Sequence, residues 1–141
     1  MDKGGVVKIM EQLGSFLKFF VAIGGSIVSY LYGSFDSLLM IFTGLVIIDY
    51  LSGLIASGIE GKLSSQIGFK GIAKKIMIFA LIAVAHFVDQ LLGNNHLIRD
   101  ATIFFYMANE LLSIIENAGR LGIPIPALLK NAVNLLRNKS K

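Results

Sequence analysis

The chain has 141 residues, of which 55% are hydrophobic and only 16% are charged, and its mean hydropathy is +0.73. An ordinary soluble domain carries about 25% charged residues, so this composition excludes a soluble domain. It predicts a single all-α integral membrane domain over residues 1–141. The chain contains no cysteine, which excludes disulfides and thiolate metal sites.

Positive charge is concentrated in three parts of the chain. Twelve of the thirteen Lys and Arg residues lie in residues 1–18, 60–75 and 119–141, and long apolar runs separate these parts. Cationic segments resist translocation and therefore mark the cytoplasmic side of a membrane protein. The pattern predicts about four transmembrane helices with both termini in the cytoplasm. The net charge of +4 then lies beside the membrane, which favours lipid headgroups over nucleic acid as its partner.

The first apolar run, residues 16–33, predicts a membrane-spanning helix. Gly25, Ser29 and Gly33 recur at four-residue steps, and such a stripe of small residues lets another helix approach closely. These three are predicted to be helix-packing positions. The alternative is that the pair Gly24-Gly25 only loosens the helix.

The second run, residues 38–59, has an ionisable residue at its middle. A carboxylate facing lipid is costly, so Asp49 is predicted to face protein, water or a cation. The alternative is a protonated Asp49 that hydrogen-bonds to a neighbouring helix. Gly53, Ser57 and Gly61 follow at four-residue steps and are also predicted to be helix-packing positions.

The segment from Glu60 to Lys75 is predicted to be a polar loop that lies along the membrane surface. It lacks the GxxxxGK[ST] spacing of a phosphate-binding loop. Its four lysines, together with two cations of the C-terminal tail, are predicted to contact lipid headgroups: Lys62, Lys70, Lys74, Lys75, Lys130 and Arg137.

The third run, residues 76–92, carries a histidine and a carboxylate on one helical face. His86 and Asp89 are three residues apart and therefore neighbours on a helix. We expect either a hydrogen-bonded pair inside the membrane or a hydrated surface. Two ligands are too few for a metal site, and His96 lies beyond the helix end, so no metal or other cofactor is predicted.

The fourth run, residues 98–118, is the least hydrophobic. Asn109 and Glu116 are seven residues apart on one stripe, and Glu110 adjoins Asn109. All three are predicted to line water or to contact other helices. The run is amphipathic, so it either spans or lies along the interface; spanning agrees better with the charge pattern.

The C-terminal tail, residues 124–138, is predicted to form a short basic amphipathic helix on the cytoplasmic leaflet. Along the whole chain we find no nucleophile–base pair, no metal-ligand spacing and no nucleotide fingerprint. No catalytic residue is therefore predicted, and the protein is not expected to be an enzyme.

Three stretches resemble the phage-lysis and toxin-secretion holin family of Gram-positive bacteria and their phages. They are DYLSGL at residues 49–54, GFKG at residues 68–71 with the Lys74-Lys75 pair that follows, and ENAGRLGIPIP at residues 116–126. The resemblance extends over about residues 38–136, and its last stretch is the most specific.

The resemblance implies a homo-oligomer in the bacterial cytoplasmic membrane that opens lesions. Through them a peptidoglycan hydrolase, or in some relatives a toxin, leaves the cell without binding the holin. Two other classes remain open. A small proton-coupled multidrug transporter also has four short helices, although it usually carries its carboxylate in the first one, and the first apolar run here has none. The other is a structural subunit of a larger membrane complex.

The predicted topology can be tested with single cysteines in this cysteine-free chain. Replacing Ser34, Ser65, Asn95 or Ser140 one at a time places a thiol in each connecting segment or in the tail. In intact cells an impermeant thiol reagent should label only the variants at Ser34 and Asn95, because only these segments lie outside. Labelling at Ser140 would mean that the fourth segment does not cross the membrane.

Overall fold

The computed structural model describes residues 3–139, and all regular structure in that range is helical. This confirms the all-α fold class. Five helices follow one another: α1 Lys3–Tyr32, α2 Ser37–Ile59, α3 Ser65–Leu92, α4 Leu97–Arg120 and α5 Ala127–Lys139.

Three of these helices, α1, α2 and α3, are long and apolar enough to cross a membrane. The helix predicted as a fourth crossing, α4, is not among them. Its ionisable residues Arg99, Asp100, Glu110 and Glu116 lower its hydropathy. The prediction of four crossings therefore stays a prediction, whereas the membrane character of the first three helices follows from their length and composition.

The first helix forms a compact unit of its own, separate from the unit that begins at Asp36. It begins at Lys3, well before the apolar run that was used to predict it, and Phe16 and Phe20 pack edge to face with ring centroids 4.7 Å apart. Gly33, at a φ of 79°, follows the helix, and its N–H donates to the carbonyl of Ser29 over 2.9 Å. Gly33 therefore caps α1, which glycine does well because it has no Cβ.

The second helix is delimited by local signals at both ends. The Asp36 carboxylate accepts a hydrogen bond from the N–H of Leu39 over 2.9 Å, which satisfies one of the free donors of the first turn. After Ile59 the chain turns at Gly61, whose φ is +68°. Gly61 therefore lies in the turn after α2 and not on its packing face.

The third helix begins at Ser65, not at Ile76, so the prediction of a polar loop through Lys75 was wrong. The Ser64 hydroxyl accepts from the N–H of Ile67 over 3.2 Å and caps the helix at this earlier point. The loop proper is residues 60–64. With 28 residues, α3 is ~42 Å long, which exceeds the roughly 30 Å hydrocarbon core of a bilayer.

The unit that begins at Asp36 is built around α4. This helix packs against both α2 and α3, whereas α2 and α3 make few contacts with each other. A continuous apolar core lies between the three helices, formed by Leu39, Phe42, Val46, Ile78, Ile82, Ile103 and Met107. The following helix, α5, packs against α4, and its Val133 is only 2% exposed. The position of α4 at the centre of this unit determines which polar groups meet.

Candidate functional site

A lysine and two carboxylates meet near the middle of the three packed helices. The Lys75 ammonium of α3 lies 2.6 Å from an Asp49 oxygen of α2 and 2.5 Å from a Glu110 oxygen of α4. All three side chains are largely buried, with 13%, 12% and 5% exposure for Lys75, Asp49 and Glu110. We call these three residues, together with Asn117, the Lys75 cluster.

The amide of Asn117 completes this cluster and ties α4 to α2. Its Nδ2 donates to the Asp49 carboxylate over 3.3 Å and to the Ser52 hydroxyl over 3.0 Å. A Cβ at Gly53 would lie 3.4 Å from that nitrogen, so glycine allows the amide to approach the α2 backbone. The stretches DYLSGL and ENAGRLGIPIP, both used for the family resemblance, therefore meet at this point.

Each charge in the Lys75 cluster compensates another. An ionised side chain in a bilayer is costly unless it meets an opposite charge or water. Here one ammonium lies between two carboxylates, and Asn117 donates an additional hydrogen bond to one of them. Burying such a set adds little net stability, but removing one member leaves a buried charge uncompensated, which is strongly destabilising.

A second ion pair joins the ends of α2 and α4. The Arg120 guanidinium donates to both oxygens of Glu60, with Nε to Oε1 at 2.8 Å and Nη2 to Oε2 at 3.2 Å. It also donates to Asn117 and Ser57. Hydrogen bonds from Arg120 and then from Lys62 lower the pKa of Glu60 to about 2, so this carboxylate remains ionised at physiological pH.

The opposite end of the bundle is organised around a fully buried arginine. Arg99 is 0% exposed, and its Nη1 lies 2.7 Å from an Asp36 oxygen and 2.9 Å from an Asp100 oxygen. Asp36 also caps α2, so one carboxylate links the starts of α2 and α4. No sequence motif singled out Arg99, which lies in the first turn of α4.

Asp89 and His86 each find partners other than one another. The Asp89 carboxylate of α3 accepts from the backbone N–H groups of Ile98 (3.0 Å) and Arg99 (2.8 Å), and so caps α4 from a different helix. His86 Nε2 lies 3.0 Å from the Gln90 amide, and its ring stacks on that of His96. The expected hydrogen bond between His86 and Asp89 is therefore not formed.

The two neighbours Asn109 and Glu110 lie on different faces of α4. Glu110 points into the Lys75 cluster, whereas Asn109 and Glu116 are exposed. Successive helical residues are about 100° apart, so adjacency along the chain separates these side chains. Asn109 and Glu116 therefore do not join Asp49 in the Lys75 cluster, and their role in lining water stays a prediction.

The predicted packing positions and lipid contacts are placed as follows. Gly53 lies against Asn117 and Ser57 accepts from Arg120, both within the subunit, while a Cβ at Gly25 would meet nothing within 4 Å. Lys75 is paired within the bundle with Asp49 and Glu110. The exposed lysines are Lys62, Lys70, Lys74 and Lys130, and the Arg137 side chain lies outside the described residues.

The sequence analysis did not predict three residues that form polar contacts between the helices: Lys75 as an ion-pair partner, Asn117 and Arg120. One signal could have found the last two. Asn117 and Arg120 are three residues apart, as are Asp49 and Ser52, so each pair lies on one helical face. Between residues 3 and 139, no three His, Asp or Glu side chains converge to hold a metal ion.

Lys75→Met should strongly destabilise the bundle, because two buried carboxylates lose their shared cation. We expect a loss of about 3–5 kcal/mol in the free energy of unfolding, measured by loss of helical signal as SDS is added to detergent micelles. The matched control is Lys74→Met, which removes an adjacent but exposed ammonium. Equal stability of the two variants would show that the Lys75 contacts contribute nothing.

The chain is similar in sequence to several known proteins. The sequence model of the bacteriophage holin family matches residues 26–138. The chain is 50% identical to an uncharacterized protein of Listeria monocytogenes over 88% of this chain and 89% of that protein. It is 32% identical to the "Probable holin" of Bacillus phage phi105 over 78% and 81%. No solved structure matches significantly. Because the family model covers most of its length, the chain belongs to the bacteriophage holin family.

Proposed function

We propose that this protein accumulates in the bacterial cytoplasmic membrane, assembles with copies of itself and opens lesions in the bilayer. A cytoplasmic peptidoglycan hydrolase, or alternatively a toxin, leaves the cell through these lesions. The observation that carries the proposal is the family match across residues 26–138. Three helices with the length and apolarity of membrane spans support it.

In this proposal α4 is the fourth crossing. Its 24 residues are ~36 Å long, enough for the roughly 30 Å hydrocarbon core. The two ionisable residues that it buries have partners outside α4: Arg99 pairs with Asp36, the cap of α2, and Glu110 pairs with Lys75 of α3. Lipid therefore does not have to solvate them. Four crossings place both termini and the 60–64 loop in the cytoplasm, in agreement with the distribution of cations.

The exposed polar stripe of α4, which consists of Asn109 and Glu116, is the part that we assign to the lesion wall. These residues are two helical turns apart on one face, and neither side chain is buried in the subunit. A carboxylate that faces hydrocarbon is costly. Assembly that brings this stripe to water removes the cost, which gives the subunits a reason to open an aqueous path.

The remaining exposed surface of the packed helices suits lipid or contact between copies. Large apolar side chains stand outward on α2 and α3, including Ile41, Ile48, Ile55, Ile76 and Val84, each more than half exposed. An apolar surface of this extent is typical of a membrane or protein interface. It supports a protein that functions within the bilayer.

Lysis should require both this protein and a cytoplasmic hydrolase. Induction in a bacterium that expresses a peptidoglycan hydrolase without a secretion signal should cause an abrupt fall in culture turbidity. It should also release a large cytoplasmic reporter enzyme. Cells that express either protein alone should keep their walls intact. If the membrane becomes permeable to ions while the hydrolase stays inside, lesion formation on this scale is excluded and a transporter or channel function gains support.

Glu116→Gln and Asn109→Leu should delay lysis, because they reduce the cost of leaving the stripe in lipid, by up to roughly 3 kcal/mol per subunit. Chemical crosslinking in membranes should still give oligomers. The control is Glu11→Gln, which changes an exposed carboxylate of α1. Unchanged lysis timing in both α4 variants would remove this stripe from the lesion wall.

A further inference from the structure

A cavity of about 220 Å³ lies beside the Lys75 cluster, a volume equal to roughly seven water molecules. It extends from Asp49 and Lys75 toward the ends of α2 and α4 next to the 60–64 loop. Its polar lining includes Tyr50, Ser57, Lys74, Ser113, Asn117 and Arg120.

Two glycines shape this cavity. A Cβ at Gly71 would lie 3.3 Å from the Tyr50 ring, and one at Gly53 would lie 3.4 Å from the Asn117 amide. A side chain at Gly71 would require a small shift of the Tyr50 ring, whereas one at Gly53 would come into direct contact with the Asn117 amide. The cavity is therefore lined by residues of all three stretches, DYLSGL, GFKG and ENAGRLGIPIP.

Positive charge exceeds negative charge around the cavity by one. The Lys75 cluster contains two carboxylates and one ammonium, whereas Glu60 is a single carboxylate between Arg120 and Lys62. Lys74 adds a further ammonium at the cavity wall. Four cations thus share three carboxylates, so an anion with one negative charge would neutralise the site.

Hydrogen-bond donors at the cavity also outnumber the acceptors that satisfy them. Glu60, Ser57 and Asn117 occupy four of the five N–H donors of Arg120. One Nη1 N–H remains. Among the described residues, neither the Lys74 ammonium nor the Tyr50 hydroxyl has a hydrogen-bond partner. Unused donors beside an excess positive charge match the oxygen atoms of a phosphate.

The cavity extends from Asp49 toward Arg120 at the end of α4, on the side where the cations predict cytoplasmic headgroups. At ~42 Å, α3 exceeds the roughly 30 Å hydrocarbon core, so in a four-crossing arrangement its first turns can reach the headgroup layer. Side chains of a helix lean toward its N-terminus, so Lys74 points toward the 60–64 loop and the adjacent headgroup layer. Leu54 and Ile67 supply apolar lining at the same cavity, next to which the first carbons of a lipid would lie.

We propose that this cavity binds the phosphodiester headgroup of an anionic phospholipid, with Lys74 and Arg120 as its phosphate ligands. Basic pockets between transmembrane helices on the cytoplasmic side are suited to such headgroups. Lipid binding here is separate from lesion formation, since it concerns the subunit itself and is measured without lysis.

The experiment is native mass spectrometry of the purified full-length protein in detergent, titrated with phosphatidylglycerol or with zwitterionic phosphatidylethanolamine. Wild-type protein should retain phosphatidylglycerol in preference. Lys74→Gln removes the cation and should weaken phosphatidylglycerol binding roughly tenfold, as expected for the loss of one charge-assisted contact. Ser113→Leu fills the cavity and should also weaken phosphatidylglycerol binding, because the headgroup loses its space. Lys70→Gln, which changes an exposed lysine outside the cavity, should bind as the wild type does.

Three results would overturn the proposal. An equal loss of binding in Lys70→Gln would indicate diffuse attraction to the whole basic surface. Equal retention of the two lipids would show that the excess positive charge does not select the ligand. Displacement of bound lipid by inorganic phosphate at the same concentration would assign the site to a free anion. The helical content of Lys74→Gln, measured in parallel, shows that its change in binding does not come from unfolding.

Discussion

The compensation of two carboxylates by Lys75 is the constraint on which the packing of α2, α3 and α4 depends. In an apolar bundle no other described group could neutralise both Asp49 and Glu110, because Arg120 is already held by Glu60. The three charges come from three helices, so satisfying them fixes the rotation of each helix about its axis. Apolar contacts alone are less directional, and large aliphatic side chains are found both in the core and on the exposed surface of α2 and α3.

Polar contacts hold both ends of this bundle as well as its middle. Arg99 joins the starts of α2 and α4 through Asp36, and Arg120 joins their ends through Glu60. Asp89 adds a third link, since its carboxylate satisfies the free N–H groups at the start of α4. These contacts explain how a helix as polar as α4 occupies the centre of the unit, with α2 and α3 packed against it.

Much of this arrangement could be predicted from the sequence. The rest could not, and the reasons can be given residue by residue. The apolar runs predicted the positions of four helices. The cost of a lipid-facing carboxylate predicted that Asp49 faces away from lipid, and Asp49 is buried. The pairing of Lys75 with carboxylates was not predicted, because Lys75 flanks an apolar run, where a lysine usually reaches the headgroups. The early cap at Ser64 shows that the helix continues through it. Asn109 and Glu110 were grouped because they adjoin, although the helical rotation separates them.

The sequence separations within the Lys75 cluster have a consequence for biosynthesis. Asp49 and Lys75 are 26 residues apart, and Lys75 and Glu110 are 35 apart. When α2 leaves the ribosome, the partners of its carboxylate have not yet been made, and at roughly 5–20 residues per second they follow only seconds later. A lone α2 would carry an uncompensated Asp49 into lipid. Integration of α2, α3 and α4 should therefore be concerted, with the insertion machinery retaining α2 until α4 has emerged.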